Sequence, residues 1–199
     1  MKKVYLFGAG GHAKVILDIL RSDNIIVDEL FDDDITILDF MGIPVSQKPK
    51  SPMIISIGNN LTRKKITTNF SDSVYHKAIS KTAIISDNVL IGDGSVIMQG
   101  AIIQSSSNIG NHVIVNTAAT IDHDCIIHDF VHIAPGVNLC GEVEVGEGTL
   151  VGAGSTVIQG IKIGKWCKIG AGSVVIKDIP DNTVAVGSPC KVIKYLKYE

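Results

Sequence analysis

His123 stands between two carboxylates in the run Ile121-Asp122-His123-Asp124-Cys125. Imidazole titrates near neutral pH, and an adjacent carboxylate can orient the ring and favour its charged form, so the triplet has the parts of a general base with a neighbouring carboxylate as partner. From these residues alone a solvated surface histidine is an equally good reading. A second chemical motif lies near the start. Gly8-Ala9-Gly10-Gly11-His12-Ala13 follows the buried-strand pattern Lys3-Val4-Tyr5-Leu6-Phe7 and runs into the helix-like Lys14 to Leu20. In a strand, glycine turn and helix, the amides of Gly10 and Gly11 can approach a phosphate while the positive end of the helix dipole favours its charge. His12, at the mouth of this turn, is a candidate substrate contact.

Two further loops fall on the same edge. The apolar stretch Ile25 to Phe31 ends in Asp32-Asp33-Asp34, about twenty residues beyond the glycines, where acidic side chains of related folds accept hydrogen bonds from ribose or sugar hydroxyls; Asp32 and Asp33 are the candidates, against a plain solvated acidic loop. Met53 to Ile57 reads as another strand followed by Gly58-Asn59-Asn60, then a helix from Leu61 to Phe70 with Arg63, Lys64 and Lys65 on its exposed face, then a short strand at Val74 to His76. The expectation is a small Rossmann-like α/β domain over residues 1–78 with about four parallel strands. That is too small for a dinucleotide and suited to a mononucleotide or nucleotide sugar.

The remainder has a different period. From Ile79 to Val175 every sixth residue is Ile, Leu or Val. Helices need apolar returns near 3.6 residues and half-buried strands near 2, whereas a period of six belongs to hexapeptide β-helix repeats. Each hexapeptide makes one side of a triangular prism, its aliphatic residue points inward, and a small residue four places later fills the corner. Gly directly after the aliphatic, as in Ile91-Gly92 or Val145-Gly146, reads as a bend residue. Three hexapeptides close a coil of about eighteen residues, stacked at roughly 4.8 Å. Residues 79–199 are therefore expected to form a parallel β-helix with a C-terminal cap. His123 points outward, Gly141 lies one coil above it and is expected to leave open space over the ring, and His132, nine residues on, lies on another side of the prism.

Composition limits the alternatives. The chain has 199 residues, 18 Lys+Arg against 20 Asp+Glu with the basic residues dispersed, and 45% apolar content, which supplies a core and argues against nucleic acid as the main partner. No apolar run reaches membrane-spanning length, so a cytoplasmic protein without a membrane span is expected. Cys125, Cys140, Cys167 and Cys190 lack metal-type spacing; Cys125 and Cys167 sit at inward corner positions and read as small core residues. His76 and His112 stand in no constellation and read as surface residues.

Taken together, Gly8-Ala9-Gly10-Gly11-His12, Asp32-Asp33, Ile57-Gly58-Asn59-Asn60 with Arg63-Lys64-Lys65, Ile121-Asp122-His123-Asp124-Cys125 and the terminal Val186-Gly187-Ser188-Pro189-Cys190-Lys191 resemble the hexapeptide-repeat nucleotide-sugar N-acetyltransferases typified by the bacillosamine-pathway enzyme, with the sialic acid O-acetyltransferases as close relatives. The resemblance covers essentially the whole chain. It implies a left-handed winding for the β-helix, a homotrimer, acetyl-coenzyme A as co-substrate and no metal. It makes His123 the catalytic base with Asp124, where the family usually has Glu, as its partner, and it makes His132 a contact to acetyl-coenzyme A. Small residues at Gly141, Ala153 and Ala171 would let the coenzyme lie against the prism, although from sequence they read equally as turn residues. The implied reaction is acetylation of the 4-amino group of a UDP-, dTDP- or GDP-linked amino-dideoxy sugar for surface glycans. A sialic acid-type O-acetyltransferase and a non-catalytic sugar-nucleotide binder are the alternatives. A zinc reading, from the spacing of His123 and His128 with Asp87 at a third position, resembles the prism-shaped carbonic anhydrases, which lack a nucleotide-type first domain.

Overall fold

The structure is a computed structural model and describes residues 3–197; residues 1–2 and 198–199, at the outer ends of the two expected domains, lie outside the described residues. The chain opens with β1 (Tyr5–Phe7), α1 (Gly11–Ser22), β2 (Leu30–Phe31), β3 (Asp39–Phe40), β4 (Ile43–Ser46), β5 (Met53–Ile55) and α2 (Asn60–Asn69). The sheet order is β3-β4-β2-β1-β5. Strands β4, β2, β1 and β5 are parallel, and Tyr75 adds a parallel bridge beside Met53. The β3–β4 hairpin is an addition to the sequence expectation; it turns through Met41 and Gly42, both at positive φ (56° and 78°), and leaves an antiparallel edge.

Helix α1 buries Ala13, Ile16, Leu17 and Leu20, an i, i+3, i+4, i+7 stripe. This stripe packs on the sheet and also on Ala78, Val96, Met98 and Ile114 of the prism, in one continuous apolar cluster. Each fully buried aliphatic side chain contributes roughly 1.5–3 kcal/mol, so the two units are held together by a shared core. The division expected between residues 78 and 79 falls inside the first prism strand, Ala78–Ile79. Helix α2 packs on the opposite face of the sheet through Ile66, against Phe7, Phe31, Met53 and Ile55.

The prism is a left-handed parallel β-helix. Its two-residue strands stack with a register of one coil, as in Ile103↔Ile121 and Ile121↔Leu139, forming three sheets of six, five and eight strands among the described residues. The largest sheet includes a terminal antiparallel hairpin, Thr183–Val186 and Lys191–Tyr195, which covers the end of the prism. The repeated aliphatic residues form the interior from Ile97 to Val175. Between them, buried hydroxyls tie coil to coil: Thr149 Oγ1 donates to Gly164 O at 2.7 Å and accepts from the Cys167 amide at 2.9 Å, and Ser107 does the same with Asp122 O (2.7 Å) and the Cys125 amide (3.1 Å). These hydrogen bonds explain why Ser and Thr are tolerated inside an otherwise apolar core.

The bend residue differs from the expected one. The left-handed position is the fourth of the hexapeptide, occupied for example by Gly94, Gly100, Ala118, Asp124, Phe130 and Gly136, these six at φ between 55° and 70°. The glycines that follow the aliphatic residue meet a different demand, close approach of successive coils. A β-carbon on Gly92 would stand 2.5 Å from the Gly110 carbonyl carbon, and one on Gly152 2.5 Å from Ile169 O. All four cysteines are free thiols; Cys125 and Cys167 are buried as the corner pattern requires, and burial pushes the Cys125 thiol up to about 11.

Candidate active site

His123 lies in the turn between the strands Thr120–Ile121 and Ile126–Ile127, exposed to solvent. Its Nδ1 is 2.7 Å from Asp124 Oδ2, and its amide donates to Asp122 Oδ1 at 2.8 Å. Asp124 takes the left-handed bend position (φ 59°), which short polar side chains tolerate and which turns its carboxylate back onto the ring. The hydrogen bond to Asp124, with smaller electrostatic contributions from Asp122, Asp124 and Glu142, raises the imidazole pKa above its ordinary value. With the Nδ1 hydrogen directed at Asp124, Nε2 is the basic nitrogen.

Gly141 does not leave open space over this ring. A β-carbon built there would stand 2.6 Å from His123 Cε1 and 2.7 Å from Nε2. The imidazole itself fills the volume that glycine vacates, so Gly141 seats the ring. His128 is engaged elsewhere: its Nε2 is 3.0 Å from Glu144 Oε1, and Lys162 Nζ is 3.1 Å from Glu144 Oε2.

A second group of candidates converges where α2 and the glycine turn meet the prism. His132, on the strand His132–Ile133, presents its ring on the side of the prism that faces the α/β unit, with Nε2 3.1 Å from Asn116 Nδ2 and a further contact to the Gly58 backbone. His12, in the first turn of α1, lies within electrostatic reach of His132, and its Nε2 is buried without a hydrogen-bond partner among the described residues. Burial, reinforced by the positive charge of Arg63, lowers both His12 and His132 to about 4. Both are therefore neutral near pH 7.

Gly10 caps α1 and Gly11 begins it. Both are exposed, and a β-carbon on either would meet nothing within 4 Å, so the turn has an open approach to its amides. Gly8, at φ 112°, is the residue of this turn that has to be glycine, since an added β-carbon would stand 2.8 Å from Ile57 Cγ1. Asp32 is bound to the same turn: its carboxylate accepts from the Ala9 amide at 2.7 Å and the Asp34 amide at 3.0 Å, while Asp33 is exposed beside it. Gly58 follows β5 on the same edge. Ala153 and Ala171 lie exposed on successive coils, joined by the Gly172 amide donating to Ala153 O at 2.8 Å. They belong to a different corner from His123, so the expected site residues form separate clusters within one chain.

Two expectations about charge and exposure are corrected. Arg63 is not on the exposed face of α2; it is 1% exposed. Its Nε donates to His112 O (2.8 Å), Nη1 to Ile57 O (3.1 Å) and Gly58 O (3.2 Å), and Nη2 to Asn60 Oδ1 (3.0 Å) and Phe130 O (2.8 Å). Burial lowers its pKa to about 9. His112 is not a surface residue either. It is buried, stacked on Phe130 (ring centroids 5.4 Å) and edge-on to Tyr75 (4.5 Å), because the α/β unit covers that corner of the prism. Lys64 pairs with Glu147 and lies 5.2 Å from the Trp166 ring centre, which adds to the same junction.

This architecture has relatives. Residues 3–70 match the family described as PglD N-terminal domain, and residues 142–177 match the bacterial transferase hexapeptide family. PerB from Caulobacter crescentus, solved with CoA and GDP-perosamine, is 34% identical, with 98% of each chain covered and a TM-score of 0.91. The chain belongs to the hexapeptide-repeat sugar acetyltransferases. Within this family the acetyltransferase domain of PglB from Neisseria gonorrhoeae FA1090 is 35% identical over 97% of this chain and all of that one, with a TM-score of 0.89. GDP-perosamine N-acetyltransferase of Escherichia coli O157:H7 is 26% identical over 178 residues, 77% of its length. The chain spans 24% of the length of another relative, the uncharacterized protein L142 of Acanthamoeba polyphaga mimivirus. As a sugar acetyltransferase the chain is an acyl-transfer enzyme, and among the described residues no helix is long and apolar enough to cross a membrane.

Proposed function

We propose that this acetyltransferase transfers the acetyl group of acetyl-coenzyme A to the 4-amino group of a nucleotide-linked amino-dideoxy sugar, in the cytoplasm, for surface glycan synthesis. The observation that carries the reading is the pairing of an open glycine turn, which has His12 and Gly58 both close to His132, with a prism bearing a carboxylate-linked imidazole at His123. The likeness to PerB in complex with CoA and GDP-perosamine, over 98% of both chains, supports the same assignment.

In this proposal residues 1–78 hold the nucleotide sugar and residues 79–199 carry the acetyl transfer. The Gly10 and Gly11 amides take the phosphates, Asp32 and Asp33 the ribose or sugar hydroxyls, and His12 and Gly58 the sugar side of the ligand. His132, Ala153 and Ala171 line the acetyl-coenzyme A path, where the small exposed side chains of Ala153 and Ala171 give a flat approach to backbone, and Gly141 contributes to the coenzyme site by seating the His123 ring. His123 Nε2 accepts the proton from the sugar amine as nitrogen attacks the thioester carbonyl, and Asp124 stabilises the resulting imidazolium. The thiolate of coenzyme A leaves when the tetrahedral adduct collapses. His123 and the His12–His132 cluster lie on different sides of the prism, so a homotrimer, in which the His123 corner of one subunit faces the acceptor site of the next, brings them to one cleft.

The reading is tested by following free thiol released from acetyl-coenzyme A with a panel of UDP-, dTDP- and GDP-linked 4-amino-4,6-dideoxyhexoses. Turnover with at least one nucleotide class is expected. Release no faster than in buffer with every acceptor overturns it.

A further inference from the structure

Arg63 has an unusual set of partners for a buried cation. Its guanidinium is 1% exposed, yet every hydrogen bond it makes goes to a neutral oxygen, and one carbonyl after another comes from two different parts of the fold. Ile57 O, Gly58 O and Asn60 Oδ1 belong to the loop after β5 and the start of α2; His112 O and Phe130 O belong to successive coils of the prism, with Val131 O at 3.5 Å. The planar five-donor fork is the side chain suited to joining several acceptors at once, and a lysine cannot reproduce it.

The two sides of this junction are not equally dependent on it. The coils that carry the two prism carbonyls are held by the backbone ladder on either side of them: the Phe130 amide donates to Asn111 O at 2.9 Å, the Ile114 amide to Val131 O at 2.9 Å and the Gly148 amide to Asp129 O at 3.0 Å. The 57–60 loop leaves β5 and has no such ladder among the described residues; besides the helix cap at Asn59, its polar ties to the prism are the Arg63 fork, the Asn60 side chain on Gly148 O (2.9 Å) and the hydrogen bond between the Gly58 backbone and His132. Gly58 is also the backbone group that meets His132, next to Phe130 and Val131.

We infer that Arg63 is a positioning residue: it clamps the Gly58–Asn60 loop onto the prism beside His132 and thereby sets the acceptor half of the site, without itself touching substrate. The consequence for catalysis rests on the proposed acetyl transfer; the clamp itself does not. Loss of the fork releases the loop while the prism stays as it is, so binding of the nucleotide sugar weakens and the coenzyme path is preserved.

The test uses the full chain as wild type, Arg63→Lys and Asn60→Ala. Amide hydrogen exchange is read first, since it does not require turnover. In both variants the 57–60 amides should exchange about tenfold or more faster while amides of the prism strands keep their protection. Steady-state rates then give the split: in Arg63→Lys the KM for the nucleotide sugar rises about tenfold with the KM for acetyl-coenzyme A within about twofold, and Asn60→Ala moves the same way by about threefold. Unchanged 57–60 exchange, or a fall in kcat with both KM values unchanged, overturns the inference. If Arg63→Lys does not fold, Asn60→Ala alone decides, and normal exchange at 57–60 in that variant sinks the clamp. A wild type without turnover but with the expected exchange would fault the assigned reaction and leave the clamp standing.

Discussion

Gly141 stands one coil above His123 and seats its imidazole so closely that an added β-carbon would lie 2.6 Å from Cε1. The neighbour is a side chain that can swing on its χ angles, so Gly141→Ala is expected to displace the ring and leave the prism folded. Misplacing a catalytic group by about 1 Å can cost on the order of 10²-fold. The expected outcome is a 10- to 100-fold lower kcat, on the order of that loss, with an unchanged melting temperature. An unfolded variant, or one with full activity, would show that the contact has a different role.

The Asp124 hydrogen bond is the largest cause of the raised His123 pKa. A base acts only when unprotonated, so the rate should climb with pH through this raised value. Asp124→Asn removes the carboxylate, and the acidic limb of the pH–rate profile should move to lower pH. The plateau should fall about 10- to 100-fold, because the weaker base loses its charge-stabilising partner. A limb that stays in place, or moves up, contradicts the assignment of His123 as the titrating group.

The proposed sharing of the site between subunits makes a separate prediction. His12→Ala and His123→Ala are each expected to be inactive as homo-oligomers. Co-expressed with different tags and purified as mixed oligomers, they should recover activity, since random mixing leaves about a quarter of the interfaces with both groups intact. No recovery in mixed oligomers would place both groups in one subunit's site or on unrelated surfaces.

The prism is legible in the sequence because its signal is repeated: the inward positions from Ile97 to Val175 follow from a period that no other element produces. The glycine turn is legible for a different reason, its position between an apolar strand and a helix. Outward residues are not, since their environment depends on what covers them. His112 occupies a bend position equivalent to that of Asp124, yet one is buried under the α/β unit and the other is in solvent. Arg63 reads with Lys64 and Lys65 as a solvated basic run, although its i, i+3 relation to Ile66 is the available sign that it shares the inward face of α2. The β3–β4 hairpin escapes a reading of the pattern because a two-residue strand paired with a four-residue strand that contains Pro44 carries too little alternation to register, and Gly42 after Met41 is its local mark.

The central claim is that His123 removes the proton from the acceptor amine, and the most direct measurement compares wild type and His123→Ala by acetyl-coenzyme A consumption with the preferred nucleotide amino sugar at saturating substrate. General-base catalysis contributes about 10²- to 10⁴-fold, so a loss of that size in kcat with the oligomer intact is predicted. Equal rates for the two proteins would contradict it.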